Sequence, residues 1–194
     1  MKKLLFATNN INKLNEIRSA IKQIEIVGLQ DINIDEDIPE TGNTLKDNAL
    51  QKAQFIYNKT GLNCFADDTG LEIDFLNGRP GVYSARYAGP ECDSEANMQK
   101  VLRELKDSKN RKAQFKTVIS IIIKGREYFF EGKVEGEILK EKQGIDGFGY
   151  DPIFRPNGFG QSFAEMSMKQ KNEISHRGIA IRKLIEYLNK YNFQ

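Results

Sequence analysis

Hydrophobic and polar positions change period several times along the chain, and each change marks an element. Residues 3–8 form a short apolar run that predicts a buried strand. Over residues 12–24, Leu14, Ile17, Ala20, Ile21 and Ile24 recur at helical spacing before IEIVGL returns to strand, so the chain opens as a β-α-β unit. Residues 39–43, PETGN, read as a helix start, with Leu45, Ala49, Ala53 and Ile56 on one face and Gly61 as the stop. A strand over residues 62–66 follows. Asp67, Asp68, Thr69 and Gly70 are expected on a loop at its end, because adjacent aspartates are strongly hydrated and depleted in strands. Residues 71–75 read as a second strand, and Asn77-Gly78 with Pro80-Gly81 as a tight reversal. Asp93 or Ser94 caps a helix through Leu105, and residues 113–134 form a long hairpin whose turn at Gly125-Arg126 suits type II′. Ile121, Ile122 and Ile123 are apolar on both faces, which places their strand inside a sheet. Ser175 caps a last helix carrying Ile181, Leu184, Ile185 and Leu188.

Length and composition narrow the class. The chain of 194 residues suits one domain, residues 1–194, with one sizeable core or two lobes around a shared sheet. It has no run of eighteen apolar residues, and LLFAT near the start is too short for a secretory signal, so no membrane span and a cytoplasmic place are expected. Two cysteines without CxxC spacing and one histidine argue against a zinc site. A net charge of +2 is too near neutral to suggest nucleic-acid or membrane binding. Its distribution is uneven, however. Residues 31–40 carry five carboxylates, whereas residues 167–194 carry six Lys/Arg against two Glu. These read either as two solvated faces or as the metal and phosphate sides of one site.

Four stretches carry candidate chemistry. Thr8, Asn9, Asn10, Ile11, Asn12 and Lys13 lie where the first strand hands over to a helix, whose free N–H groups favour an anion, although capping by Asn explains the same residues. Glu40 is either a first-turn carboxylate stabilised by the helix dipole or a ligand for a hard cation beside Asp67 and Asp68. GIDGFGYDPIF offers the flat faces of Phe148 and Tyr150 beside Gly149 and the acceptor Asp151, a set suited to a planar ring or to a plain aromatic turn. His176 and Arg177 fall in the first turn of the last helix, the unfavourable end of the dipole for a cation.

Taken in order, ATNNINK, ETGNTLKDNALQKA, FADDTGLEIDFLNGRPGVYSARYAG, DGFGYDPIF, FAEM and KNEISHRGIA cover residues 7–180 and resemble the inosine/xanthosine triphosphate pyrophosphatases. The resemblance implies an elongated α/β protein with two lobes around a long, twisted mixed β-sheet flanked by helices, usually a homodimer. It implies Mg²⁺-dependent cleavage of ITP, dITP and XTP to monophosphate and pyrophosphate, which keeps deaminated purines out of nucleic acid. Carried onto this chain, Asp68 is the catalytic carboxylate and, with Glu40, a metal ligand. Thr8 to Lys13, Lys52 and Thr69 would bind phosphates. Phe148, Gly149, Tyr150, Asp151, Lys171, His176 and Arg177 would hold substrate, mainly around the base.

Elementary chemistry agrees with that assignment. A metal with Lys13 and Lys52 would neutralise charge developing at the scissile phosphate, and Asp68 could take a proton from the attacking water. Asp67 could orient Asp68 or bind a second ion. Two other readings fit the same residues: a related enzyme acting on pyrimidine triphosphates, and a sensor that binds purine triphosphate without cleaving it.

Overall fold

Strand β1 (Lys3–Phe6) lies parallel to both β2 (Glu25–Gly28) and β3 (Cys64–Ile73), with helix α1 (Ile11–Ala20) between β1 and β2, as the apolar periodicity predicts. A computed structural model describes residues 3–190 of the chain. Strands β4 (Pro80–Gly81), β5 (Lys112–Ile123), β6 (Arg126–Ile138) and β7 (Phe154–Pro156) complete a mixed sheet ordered β2-β1-β3-β5-β6-β7, with β4 antiparallel to β3. The other helices are α2 (Leu45–Thr60), α3 (Ser94–Glu104), α4 (Met168–Ile174) and α5 (His176–Lys190). The α/β class expected from the sequence is the one observed.

Several local expectations need correction. The two aspartates do not end a strand: β3 runs unbroken through Asp67, Asp68, Thr69 and Gly70 as far as Ile73. Strand propensity describes half-exposed surfaces, and here each carboxylate is buried against cations that replace its hydration. Helix α2 starts behind Thr44, whose hydroxyl accepts from the Asp47 N–H, so Glu40 precedes the helix and gains nothing from its first turn. The segment before it is held instead by side chains of α2, Gln51 accepting from the Thr41 N–H and Asn48 from the Gly42 N–H. Helix α1 stops at Ala20, four residues short of Ile24. The β5–β6 turn centres on Lys124 and Gly125, both with positive φ (49° and 76°), the signature of type I′ rather than II′.

The chain divides into two compact units, each assembled from separate segments. Unit one comprises residues 1–68, 117–132 and 177–194; unit two comprises residues 69–116 and 133–176.

In unit one, the alternation of side chains along the strands separates two cores. Leu4, Phe6, Phe65, Ile119 and Ile121 pack against Leu14 and Ile17 of α1 and Ala180, Ile181, Leu184 and Leu188 of α5. Leu5, Ala7, Cys64, Ala66 and Ile122 pack on the other side with Ala53 and Ile56 of α2. Burying each such Leu or Ile is worth roughly 1.5–3 kcal/mol, which is what holds three helices of modest intrinsic propensity against the sheet.

In unit two the core is aromatic. Phe115 meets Phe154 edge-on at 4.7 Å between centroids, and Phe154 meets Phe163 at 5.2 Å. Leu71, Ile73, Met98, Val101 and Leu105 fill in around them. Arg111 fastens the end of α3 to β6 by donating to the carbonyls of Leu105, Ile138 and Leu139.

Candidate active site

Odd and even positions of β3 face different cores, and that alternation also separates the two aspartates. Asp67 follows Phe65 toward α1 and α5. Its Oδ1 accepts from Lys13 Nζ at 3.0 Å, and its Oδ2 from Arg177 Nε at 3.3 Å. Arg177 in turn pairs through Nη1 with Glu16 of α1. Glu16, Arg177, Asp67 and Lys13 thus form one line of alternating charge, buried except at the half-buried Lys13.

Asp68 follows Ala66 toward α2. Its Oδ2 accepts from the Asn48 side-chain amide at 3.0 Å, and its Oδ1 lies 3.6 Å from Lys52 Nζ. Lys52 also pairs with Glu40, so two carboxylates converge on one ammonium.

These surroundings drive the adjacent carboxyls apart. Burial alone would raise Asp67, but Lys13, Arg177 and Lys52 outweigh it and hold this carboxyl well below the ordinary carboxylate value. Burial pushes Asp68 upward despite Lys52 and Lys13, and Glu40 adds to the rise. Two neighbouring carboxylates with opposite shifts suit different tasks: Asp67 is a fixed counter-ion, and Asp68 is the one with proton affinity to use. Burial would discharge Lys52, but Asp68, Glu40 and Asp67 more than compensate and keep it charged.

The junction residues play mixed parts. Asn10 caps α1, its Oδ1 accepting from the N–H groups of Asn12 and Lys13. Thr8 accepts from the Asn10 N–H, and Asn9 donates to the Glu36 carbonyl. Asn9, Asn10, Ile11 and Asn12 are exposed. Of this stretch, only Lys13 reaches the carboxylate cluster directly through its side chain, on Asp67. Thr69, next along β3, is half-buried.

Unit two gathers a second set. Asp151 is buried and accepts from the Phe148 N–H at 2.8 Å and from Lys171 Nζ at 2.6 Å. That ammonium lies 4.9 Å from the centre of the half-buried Phe148 ring. The Asp151 carboxylate leaves no room at residue 147 for a side chain, since a Cβ there would stand 2.2 Å from Oδ2. His176 stacks on Phe115 at 4.6 Å. Tyr150 is turned into the core, its hydroxyl donating to the Ser84 carbonyl, rather than presenting a free flat face. Gly149 follows Phe148 with a φ of 63°. The division between units falls between His176 and Arg177.

Two residues of the first cluster were missed by the sequence reading. Glu16 and Asn48 are both buried, at 4% and 0% exposure, on the core-facing sides of α1 and α2. The available signal was a polar residue set inside an apolar stripe: Glu16 beside Ile17, and Asn48 one turn before Lys52 within the stripe of Leu45, Ala49 and Ala53.

The chain matches the Ham1 family model over residues 4–187. It is 58% identical over 189 residues to the dITP/XTP pyrophosphatase of Christiangramia forsetii, covering 97% of this chain and all of that one. The dITP/XTP pyrophosphatase of Flavobacterium johnsoniae is 53% identical, covering 96% of this chain and 97% of that one. Among solved structures, the Ham1 protein of Staphylococcus aureus superposes with a TM-score of 0.88 at 39% identity, over 98% of this chain and 100% of that one.

Proposed function

Because this chain belongs to the Ham1 family, we propose that it hydrolyses non-standard purine nucleoside triphosphates, ITP, dITP and XTP, to the monophosphate and pyrophosphate. The observation that carries the reading is Asp68 itself, a buried carboxylate of raised proton affinity, one oxygen held by Asn48 and the other turned to Lys52. A binding protein has no need of such a group. An attacking water needs a base, and general-base help contributes roughly 10²–10⁴ in rate.

The charge balance supports a divalent ion. Lys13, Lys52 and Arg177 face Glu16, Glu40, Asp67 and Asp68, so three cations stand against four carboxylates, a net of −1. A triphosphate would meet net repulsion there unless it arrived with cations. Among the described residues no cluster of three or more His, Cys, Asp or Glu stands ready for a metal. Mg²⁺ needs no such cage, since it is usually held by one or two carboxylates with phosphate oxygens and water completing its shell. Glu40 and Asp68, already converging on the Lys52 ammonium, fit that donor set. When bound, the ion would neutralise charge on the phosphates.

This chain's own groups would then divide the work. Lys13 and Lys52 hold phosphate oxygens and offset charge in the transition state. Asp68 accepts the proton of the attacking water. Phe148 stacks on the base, while Lys171 and Asp151 supply a donor and an acceptor for its edge. Selection of a purine with oxygen at position six follows if a donor meets that oxygen, because an adenine amino group would leave the donor unpaired. A homodimer in the cytoplasm completes the proposal; sedimentation and cell fractionation test those two parts. Among the described residues no helix is long and apolar enough to cross a membrane.

The test is pyrophosphate release with Mg²⁺ from ITP, XTP, GTP, ATP and UTP in parallel. Release from ITP and XTP far above the rest is expected. Preferred release from UTP would make this a pyrimidine enzyme, and tight ITP binding with no release would make it a sensor.

A further inference from the structure

Asn48 is fully buried, and both ends of its side-chain amide are engaged. At one end it accepts from the Gly42 N–H at 2.7 Å; at the other it donates to Asp68 Oδ2 at 3.0 Å. The orientation is forced. A backbone N–H can only donate, so the Asn48 atom that faces it must be Oδ1, which turns the NH₂ toward Asp68. Gly42 makes the approach possible. A Cβ there would stand 2.6 Å from Asp47 Cβ and 2.8 Å from Asn48 Oδ1, closer than side chains tolerate. The same bridge ties down the segment that carries Glu40, two residues before Gly42, which pairs with Lys52.

We infer that Asn48 is a positioning residue: it fixes the Asp68 carboxylate by its Oδ2 and so assigns Oδ1, the oxygen turned to Lys52, to the reaction. This rests on the reading of Asp68 as the catalytic base. An unanchored carboxylate rotates about its last bond and presents either oxygen, whereas one held by a buried amide presents a single oxygen in a single direction. Orientation of this kind acts on the chemical step. Its effect falls on the chemical step more than on substrate affinity, because Asn48 hydrogen-bonds the Asp68 carboxylate and the Gly42 N–H rather than a group assigned to phosphate or base directly.

The test is a double-mutant cycle on pyrophosphate release from ITP with Mg²⁺, using Asn48→Ala, Asn48→Asp, Asp68→Asn and the pair Asn48→Ala/Asp68→Asn, with thermal melts to establish folding. Asn48→Asp is nearly isosteric and keeps the acceptor for Gly42, but it replaces the donor by a second carboxyl against Asp68, whereas Asn48→Ala removes the donor without adding charge. Hydrogen bonds to charged groups suggest a loss of about 10- to 100-fold in kcat for each Asn48 variant, with KM within about twofold. The loss should vanish when Asp68 is already Asn, since there is then no base to orient.

Either a folded Asn48 variant with wild-type kcat, or a loss that persists unchanged in the Asp68→Asn background, overturns the inference while leaving Asp68 in place. So does failure of both Asn48 variants to fold, which would make the bridge a requirement of the fold. Full turnover by Asp68→Asn would instead remove the base and the inference together.

Discussion

The two units handle polar groups in opposite ways. Among the described residues, unit one buries or partly buries seven charged side chains in two ion-pair groups on neighbouring residues of β3, Lys52 with Glu40 and Asp68, and Lys13 and Arg177 with Asp67 and Glu16, three cations against four carboxylates. Unit two, among the described residues, buries the ion pair of Lys171 with Asp151 beside Phe148, Phe163 and the Phe115–His176 stack. Buried charge in such quantity is expensive unless fully paired, and replacing it by hydrocarbon would often leave a protein no less stable. Its presence in unit one is therefore better explained by chemistry on a charged substrate than by stability. Aromatic faces around one ion pair instead suit a flat ring with a polar edge. Substitutions in unit one should accordingly act on turnover, and those in unit two on the choice of base.

The sharpest contrast comes from Asp68. Asp68→Asn keeps shape and burial but removes the base, and should lower kcat by roughly 10²–10⁴ with an unchanged melting profile. Single-turnover pyrophosphate release measures it. If Phe148→Ala lowered kcat on ITP as far as Asp68→Asn does, the division between the units would be broken.

Asp67 tests the same strand at the next residue, with a different expected readout. Asp67→Asn strands Lys13 and the Glu16–Arg177 pair around a neutral amide. Breaking a buried ion pair in this way costs about 3–5 kcal/mol, seen as a lower urea midpoint at pH 7. The pH dependence has a definite sign. The native carboxyl lies below its ordinary value of 3.8. Its contribution is therefore complete above about pH 4 and is lost as pH falls through the depressed native value. The gap between wild type and Asp67→Asn should narrow in acid. A gap of constant size from pH 7 to pH 3 would show that Asp67 does not ionise as a counter-ion.

What the sequence disclosed follows from the range of the interactions involved. The β-α-β start was legible because Leu14, Ile17 and Ile21 repeat within ten residues and Gly61 stops α2 locally. The continuity of β3 was not. Aspartates remain in a strand interior here only because Lys13 and Arg177, 54 and 110 residues away, neutralise Asp67, and Lys52 faces Asp68. No local rule contains that information. The start of α2 was misplaced for a similar reason, since residues 41 and 42 are held by Gln51 and Asn48, two turns and one turn into the helix. The candidate stretches were legible from residue type and placement, with alternatives left open, and the role of each residue came from the family resemblance. The structure adds Glu16 and Asn48, which look in sequence like ordinary edges of apolar stripes.

Unit two supplies the smaller effects. Loss of a stacked ring is worth roughly 1–3 kcal/mol, so Phe148→Ala should lower kcat/KM on ITP by about 5- to 150-fold, mainly through KM. If KM is unmoved and kcat drops, Phe148 serves the chemical step and the aromatic cluster has been misread.

Two residues further on, the same glycine-rich segment should give a quite different result. Tyr150 shares the aromatic character of Phe148, and sequence alone gave both the same task. Its hydroxyl, however, is spent on the Ser84 carbonyl in the core, and Ser84 in turn accepts from the Leu71 N–H and donates to the Gly81 carbonyl. Burial pushes that hydroxyl above its ordinary ionisation range, as expected for a group kept neutral to donate. Tyr150→Phe removes one neutral hydrogen bond and no ring, which costs about 0.5–1.5 kcal/mol of stability. Urea denaturation should register that loss, while KM for ITP stays within about twofold of wild type. A large rise in KM with unchanged stability would give the Tyr150 hydroxyl to the substrate instead of to the core. The contrast between neighbouring aromatic residues, one assigned to the ligand and one to the fold, would then disappear.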